Sequence, residues 1–294
     1  MTDVAPTPSR FSDYLELTKP RLSLLSVLTA AAGYAAVRPF HGWHDFAFMM
    51  VGTSLAAGGV AALNQWHERD TDAQMKRTAD RPLPSGRIPN GSAFVMGWLL
   101  CIGAMMLMYA AVNRLTLLFT FLTIAAYLGW YTPFKRFSRW STEIGAIAGA
   151  FPPLIGWAGA QDDVTPLGWI LFAILFFWQI PHFMAVAWTY RKDYSSVHFP
   201  MLPVRDESGG RVAAWSLVNA VLLVAATLLP CFLGYDSIGY GVVAGLAGVW
   251  FISRAVAFLR PEGRDAAARK LFLASITYLP IVLGALVIDR VFFF

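Results

Sequence analysis

The chain has 294 residues, 57% of them hydrophobic and 14% charged, with a mean hydropathy of +0.53. A soluble domain carries about 25% charged residues, so this composition excludes a soluble globular enzyme, a disordered chain and a fibrous protein. It leaves an all-α integral membrane protein. The net charge of +5 and the pI near 9.3 are read as basic loops on one side of a bilayer, with no nucleic-acid partner.

In chain order, nine apolar stretches are predicted as transmembrane helices: 22–37, 46–63, 93–112, 115–134, 144–160, 166–190, 213–233, 237–253 and 271–288. Some fall short of the ideal span and must borrow flanking residues. Pro152, Pro153 and Pro181 are expected to kink or locally open their helices. With the N-terminus inside, only Arg38, Arg114 and Arg290 of the 23 Lys and Arg residues fall in outside segments. That alternation holds for nine spans and places the C-terminus outside. Ala30 and Ala32 after Lys19 and Arg21 offer a signal-peptide-like site, but eight further spans anchor the chain, so the first helix is read as retained. Asp3, Asp13 and Glu16 make the N-terminal tail unlike a mitochondrial transit peptide, and a bacterial cytoplasmic membrane is expected. Cys101 and Cys231 lie far apart in apolar runs and read as small apolar residues. Residues 1–294 read as one domain. The two long inside loops, 64–92 and 189–212, lie four helices apart.

The nine stretches contain no Asp, Glu, Lys or Arg, and His182 is their one ionisable residue of the usual set. Pumps and ion-coupled transporters usually place charges inside the membrane. Here the polar chemistry gathers at the cytoplasmic ends, which points to a site at the inner interface facing a cavity between helices.

The first polar cluster is Asn64-Gln-Trp-His-Glu68-Arg-Asp-Thr-Asp72, continuing through Lys76, Arg77 and Arg81. The spacing of four puts the Asn64, Glu68 and Asp72 oxygens on one helical face. Oxygen donors suit Mg²⁺, which is usually held by one or two carboxylates plus substrate phosphates. Lys76, Arg77 and Arg81 are candidates for the phosphate oxygens. The same run also fits a solvated loop in which Glu68 and Asp72 pair with Lys76 and Arg69. Asn64 within an apolar helix end and the Arg81-Pro-Leu-Pro-Ser-Gly86 turn speak for an ordered site. The second cluster is Trp178-Gln179-Ile-Pro-His182, followed by Trp188, Thr189, Tyr190, Arg191, Lys192, Asp193 and Tyr194. Asp193 is a candidate second metal ligand, and Arg191 and Lys192 are candidate phosphate contacts or plain topology signals. Gln179 and His182 share a face. His182 is open to three roles: iron ligand, hydrogen-bond donor or partner of a neighbour.

These segments resemble the UbiA-type intramembrane prenyltransferases over nearly the whole chain. The resemblance rests on Leu17-Thr-Lys-Pro-Arg21, on Asn64…Glu68…Asp72 with Arg77-Thr…Arg81-Pro-Leu, and on Tyr131-Thr-Pro-Phe-Lys135-Arg136. It also rests on Gly149-Ala-Phe-Pro-Pro-Leu-Ile-Gly-Trp157 and Trp178-Gln-Ile-Pro-His-Phe183, and these last two point to the haem-modifying branch. The resemblance implies nine transmembrane helices around a central cavity open to the cytoplasmic side. It implies transfer of a farnesyl group from farnesyl diphosphate to a vinyl group of haem B, with addition of water, giving haem O. By the same resemblance Asn64, Glu68, Asp72 and Asp193 hold Mg²⁺ and diphosphate, Arg77, Arg81, Lys135 and Arg136 meet phosphate oxygens, and haem A synthase or oxidase assembly proteins are partners. Thr189 stands where many relatives carry the first acid of a second motif, so Asp193 alone remains there. Val197-His198 and Glu143 also depart from the pattern. Trp66, Tyr131, Trp178 and Tyr190 are candidates to stabilise an allylic cation through their ring faces. Competing readings are another acceptor on the same scaffold (a quinone precursor or chlorophyllide), a transporter, or an oxidase assembly factor.

Overall fold

The computed structural model describes residues 10–294, and these form helices without strands; Asp3 lies outside the described residues. The elements are α1 (Arg10–Leu17), α2 (Pro20–Ala36), α3 (Trp43–Asp72), α4 (Asn90–Ala111) and α5 (Arg114–Ala125), which runs through a π-helical segment (Ala126–Tyr131) into α6 (Thr132–Phe134). They continue as α7 (Ser141–Ala150), α8 (Pro152–Gln161), α9 (Pro166–Thr189), α10 (Arg191–Ser196) and α11 (Leu202–Arg205). The last three are α12 (Gly210–Phe232), α13 (Ile238–Leu259) and α14 (Arg264–Phe293).

Among the described residues, seven helices are long and apolar enough to cross a membrane: α3, α4, α5 with its extension to Phe134, α9, α12, α13 and α14. Two of the nine predicted stretches differ. The first folds as α2, only 17 residues long. The fifth divides into α7 and α8 because Pro152 and Pro153 have no N–H to donate to the preceding turn. Phe151 between them keeps right-handed helical torsions (φ −70°, ψ −32°).

Two groups of helices build the bundle. In the first, α2, α3, α4, α5 and α8 pack in succession, and α8 returns to α2; in the second, α9, α12, α13 and α14 close a four-helix ring. Contacts of α7 and α8 with α9, and of α14 with α2, join the groups. Leu28, Leu99, Met106, Leu246, Val249 and Leu273 are exposed on the outer helices, as expected of a lipid-facing surface. The α2–α8 contact is a backbone contact: a Cβ on Gly156 would lie 1.8 Å from the Ala30 carbonyl oxygen, and one on Gly33 would lie 2.1 Å from that of Pro153. Small residues permit such approach where burial from water supplies no drive between helices.

At the end of the bundle away from the α3 C-terminus, Asp289 accepts hydrogen bonds from the amide and hydroxyl of Ser237, which itself caps α13 by accepting from the Tyr240 amide. Arg290 donates to the carbonyls of Ala36 and Tyr235. Neighbouring Asp236 is buried, and neither carboxylate oxygen has a hydrogen-bond partner among the described residues. Burial pushes its carboxyl up to about 7, Arg290 opposes the shift and Asp289 adds to it. The folded state therefore holds a proton that the unfolded chain releases near pH 3.8. This contribution to stability is complete below that value and is lost as pH rises through about 7. Asp236→Asn is expected to raise the melting temperature at pH 8 by about 2–4 °C and to flatten this part of the pH profile. Thermal unfolding in detergent at pH 5 and pH 8 checks it, and equal shifts at both pH values contradict it.

Candidate active site

The predicted face on α3 forms. The helix runs without interruption to Asp72, and Asn64, Glu68 and Asp72 are all buried. Each meets a cation from a different segment. Lys19, just before α2, places Nζ 3.5 Å from Asn64 Oδ1. Lys135, just after α6, places Nζ 3.1 and 3.3 Å from the Glu68 carboxylate oxygens. Arg81, in the connection between α3 and α4, donates from Nη1 to Asp72 Oδ2 at 2.6 Å. Glu68 thus pairs across the fold with Lys135 and Asp72 pairs with Arg81 of the following connection, and neither pairs with Lys76 or Arg69.

Local chemistry explains how the cations arrive. The connection after Asp72 is held by Thr78 Oγ1, which donates to the Asp72 carbonyl at 2.8 Å. Its Pro82–Ile88 turn is closed by Ile88 N–H donating to Pro82 O at 3.1 Å. Leu83 and Ile88 pack against Leu17, Ala62 and Ala93. Arg87 fastens the turn to α1 through Asp13 at 2.8 Å and Glu16 at 3.2 Å. The turn is therefore ordered, as its proline spacing predicts.

Lys135 is aimed by the π-helical segment. Pro133 has no N–H to donate, and Thr132 Oγ1 donates instead to the Tyr127 carbonyl at 2.8 Å while accepting from Asn64 Nδ2 at 3.4 Å. Such single-turn widenings occur where a helix is re-aimed at a functional site. The Lys135 ammonium also lies 5.1 Å from the Phe199 ring centroid and 6.0 Å from that of Tyr131. Burial works against its charge, but the Glu68 carboxylate outweighs burial and holds Lys135 above the usual lysine range.

Lys19 joins this cluster, although in the sequence it figures in a motif and among the basic residues and not as a candidate for the site. It adopts the left-handed region (φ 46°, ψ 59°) immediately before Pro20, an unusual conformation for a residue preceding proline. Gln65 of α3 locks the approach by donating to the Leu17 carbonyl at 2.8 Å. Burial, with Arg81 adding, lowers the Lys19 ammonium to about 8. Its motif neighbours Thr18 and Pro20 were the available signal; the contact across 45 residues was not readable from spacing.

The second cluster divides. Arg77 places its guanidinium over Tyr190 and Tyr194, 5.2 and 5.8 Å from the ring centroids, and bonds the Tyr194 hydroxyl at 3.4 Å. This contact ties the α3–α4 connection to α10. Asp193 is half-buried on α10, and its carboxylate makes no hydrogen bond or ion pair among the described residues. Lys76 and Lys192 are exposed. Arg136 reaches the neighbouring face of α3, at the His67 carbonyl (3.1 Å) and Thr71 Oγ1 (3.4 Å). Arg191 pairs with Asp265 of α14 at 3.2 Å and lies over Trp188. Gln179 donates to the Ala146 carbonyl at 3.1 Å, joining α9 to α7 where Gly149 leaves room for its amide. Trp66 packs on Phe94 of α4. Glu143 accepts from Trp215 Nε1 at 2.6 Å, which accounts for an acid at the start of α7.

The donor chemistry fits a hard cation of the Mg²⁺ kind. Asn64, Glu68 and Asp72 supply only oxygen donors. Among the described residues no three His, Cys, Asp or Glu side chains converge on one metal position. One or two carboxylates completed by substrate phosphate is the mode Mg²⁺ prefers, and the cations beside them suit that phosphate.

A helical bundle with an oxygen face and converging cations suits a substrate that carries phosphate. Residues 24–276 match the UbiA prenyltransferase family, and the chain belongs to that family. It is 65% identical over 292 residues to the protoheme IX farnesyltransferase of Opitutus terrae, covering 99% of both chains. It is 41% identical to the protein of the same name from Solibacter usitatus, covering 95% of this chain and 98% of that one. Among solved structures, a digeranylgeranylglyceryl phosphate synthase superposes with a TM-score of 0.81 at 18% identity, over 96% of this chain and 99% of that one. A UbiA homologue from Archaeoglobus fulgidus bound to GPP and Mg²⁺ gives 0.70 at 15% identity, over 93% of this chain and 99% of that one. These two likenesses concern the fold.

Proposed function

We propose that this chain transfers a farnesyl group from farnesyl diphosphate to a vinyl group of haem B, with addition of water, giving haem O and diphosphate. The observation that carries the reading is the α3 ladder, in which each of three oxygen-bearing side chains meets a cation from a separate segment. The choice of haem B as acceptor is supported by the name shared by the relatives at 65% and 41% identity.

In this reading Asn64, Glu68 and Asp72 hold Mg²⁺, with Asp193 supplied by the second arm. The metal, when bound, neutralises charge on the leaving diphosphate. The Mg²⁺ and GPP bound to the Archaeoglobus homologue support this role. Arg81 and Lys135 release part of their pairing to the carboxylates, Lys19 releases the Asn64 amide oxygen, and all three take phosphate oxygens. Arg77 closes over the diphosphate from the α10 side, and Lys76, Arg136 and Lys192 add positive potential at the mouth. Tyr131 and Tyr190, whose rings already adjoin Lys135 and Arg77, face the allylic cation as the carbon–oxygen bond breaks. The apolar bundle shelters that cation from early capture by water. The vinyl carbon then bonds to the farnesyl carbon, water adds at the neighbouring carbon and a proton leaves.

The nine-span arrangement belongs to this proposal. With α2 and the α7–α8 pair spanning beside the seven long helices, the bundle is a single domain around a cavity open to the cytoplasm. The distribution of Lys and Arg then sets the N-terminus inside and the C-terminus outside a bacterial cytoplasmic membrane. Haem A synthase or oxidase assembly proteins are the proposed recipients of the product.

The acceptor is tested by giving labelled farnesyl diphosphate to the purified protein with haem B, a hydroxybenzoate or chlorophyllide. Label is expected in haem alone, and label in either rival overturns the acceptor. The donor side carries its own prediction. Lys19, lowered to about 8 by burial first and Arg81 second, loses its charge as pH rises through that value. The KM for farnesyl diphosphate is therefore expected to rise several-fold between pH 7 and pH 9, and Lys19→Arg is expected to flatten that rise. A flat wild-type profile contradicts it.

A further inference from the structure

The contact of α9 with α14 lies outside the α3 ladder. Ser275 of α14 is fully buried and is gripped by two α9 side chains one turn apart. Trp178 Nε1 donates to its carbonyl at 2.7 Å, and His182 Nδ1 lies 2.8 Å from its Oγ. A serine hydroxyl has one proton, and this one is donated to the Phe272 carbonyl at 2.6 Å. Ser275 Oγ therefore accepts from His182 Nδ1–H. In the neutral ring that assignment leaves the lone pair on Nε2.

Nε2 makes no hydrogen bond or ion pair among the described residues, and the side chain keeps partial exposure. The ring is also fixed in orientation. Trp178 stacks on it at 4.7 Å and 24°, and Phe183 and Phe272 each lie 5.1 Å away. An imidazole anchored at Nδ1 and bare at Nε2 is how metal-ligating histidines are held. His182 lies seven residues from the end of α9, about 10 Å along the axis, with the exposed Phe183 ring beside it.

We propose that His182 Nε2 is an axial ligand to the iron of the acceptor haem, and that Ser275 is the positioning residue that keeps this nitrogen free to bind. The inference rests on the haem-modifying reading above and goes further by assigning the iron contact and its support.

The test uses the full chain in detergent with haem B and no prenyl donor, read by absorption and electron paramagnetic resonance. Wild type is expected to give a histidine-ligated haem spectrum. His182→Ala is expected to lose that signature and to weaken haem binding at least tenfold, and added imidazole is expected to restore it. His182→Cys is expected to replace the signature with a thiolate-type spectrum, so a poorly folding alanine variant does not decide the matter. Ser275→Ala is expected to weaken the signature, and Ser275→Thr to keep it. Haem bound with an unchanged spectrum in both His182 variants overturns the ligand assignment and leaves the farnesyl-transfer reading standing. Folded wild-type protein that binds no haem overturns both.

Discussion

Asp72→Asn is expected to abolish prenyl transfer while the protein still folds and inserts. Asp72 is buried, and its Oδ2 accepts from Arg81 at 2.6 Å. Asparagine keeps the volume and one acceptor oxygen, so the Arg81 turn stays anchored. The backbone carbonyl that receives Thr78 is untouched. What disappears is the negative charge at the end of the ladder. A hard divalent cation then loses a carboxylate where it normally has only one or two, and the leaving diphosphate loses its counter-charge. The expected fall in turnover is about 10³-fold or more, on the order of 4 kcal/mol at about 1.4 kcal/mol per tenfold change. Product formation by the reconstituted variant, with its melting temperature measured alongside, checks this. Activity within a few-fold of wild type contradicts the role of the α3 ladder.

Gly156→Ala is expected to act through the fold. The added methyl would sit 1.8 Å from the Ala30 carbonyl oxygen and 2.7 Å from the Tyr34 amide nitrogen. Both are backbone atoms of α2, so no rotamer change can make room. The helices must separate, and Gly33, whose own Cβ would meet the Pro153 carbonyl, shows how tightly the two backbones are matched. The expected cost is about 3 kcal/mol or more, enough to remove most folded protein from the membrane. Gly103→Ala on α4, where a Cβ would meet nothing within 4 Å, is the control. It is expected to be neutral or slightly stabilising. Detergent-solubilised yield and thermal unfolding of the two variants separate the outcomes, and equal behaviour contradicts the α2–α8 contact.

Periodicity carried part of this account and failed at identifiable places. The face formed by Asn64, Glu68 and Asp72 was legible because it depends only on local helix geometry, and α3 runs unbroken through it. Seven spans were legible because their apolar runs are long. The break in the fifth was legible too, because Pro152 and Pro153 lack the N–H donors that would have joined α7 to α8. The origin of the paired cations was not legible. Lys135 reaches Glu68 from 67 residues away, through a π-helical segment that no simple spacing rule describes. Lys19 reaches Asn64 from a strained residue before proline. The same blindness to distant contacts explains Arg191 and Gln179. Arg191 reads as a candidate phosphate contact and Gln179 as sharing a face with His182, yet Asp265 on α14 and the Ala146 carbonyl on α7 claim them. His182 was legible as a lone imidazole in an apolar span, but its tautomer depends on Ser275, 93 residues further along.

The most direct measurement is mass spectrometry of haem recovered from the purified full-length protein after incubation with haem B, farnesyl diphosphate and Mg²⁺. The account predicts a product heavier by one farnesyl group plus one hydroxyl group, formed with one diphosphate released per haem and lost when the metal is chelated. Diphosphate release without a haem adduct, or folded protein that yields neither, would contradict it.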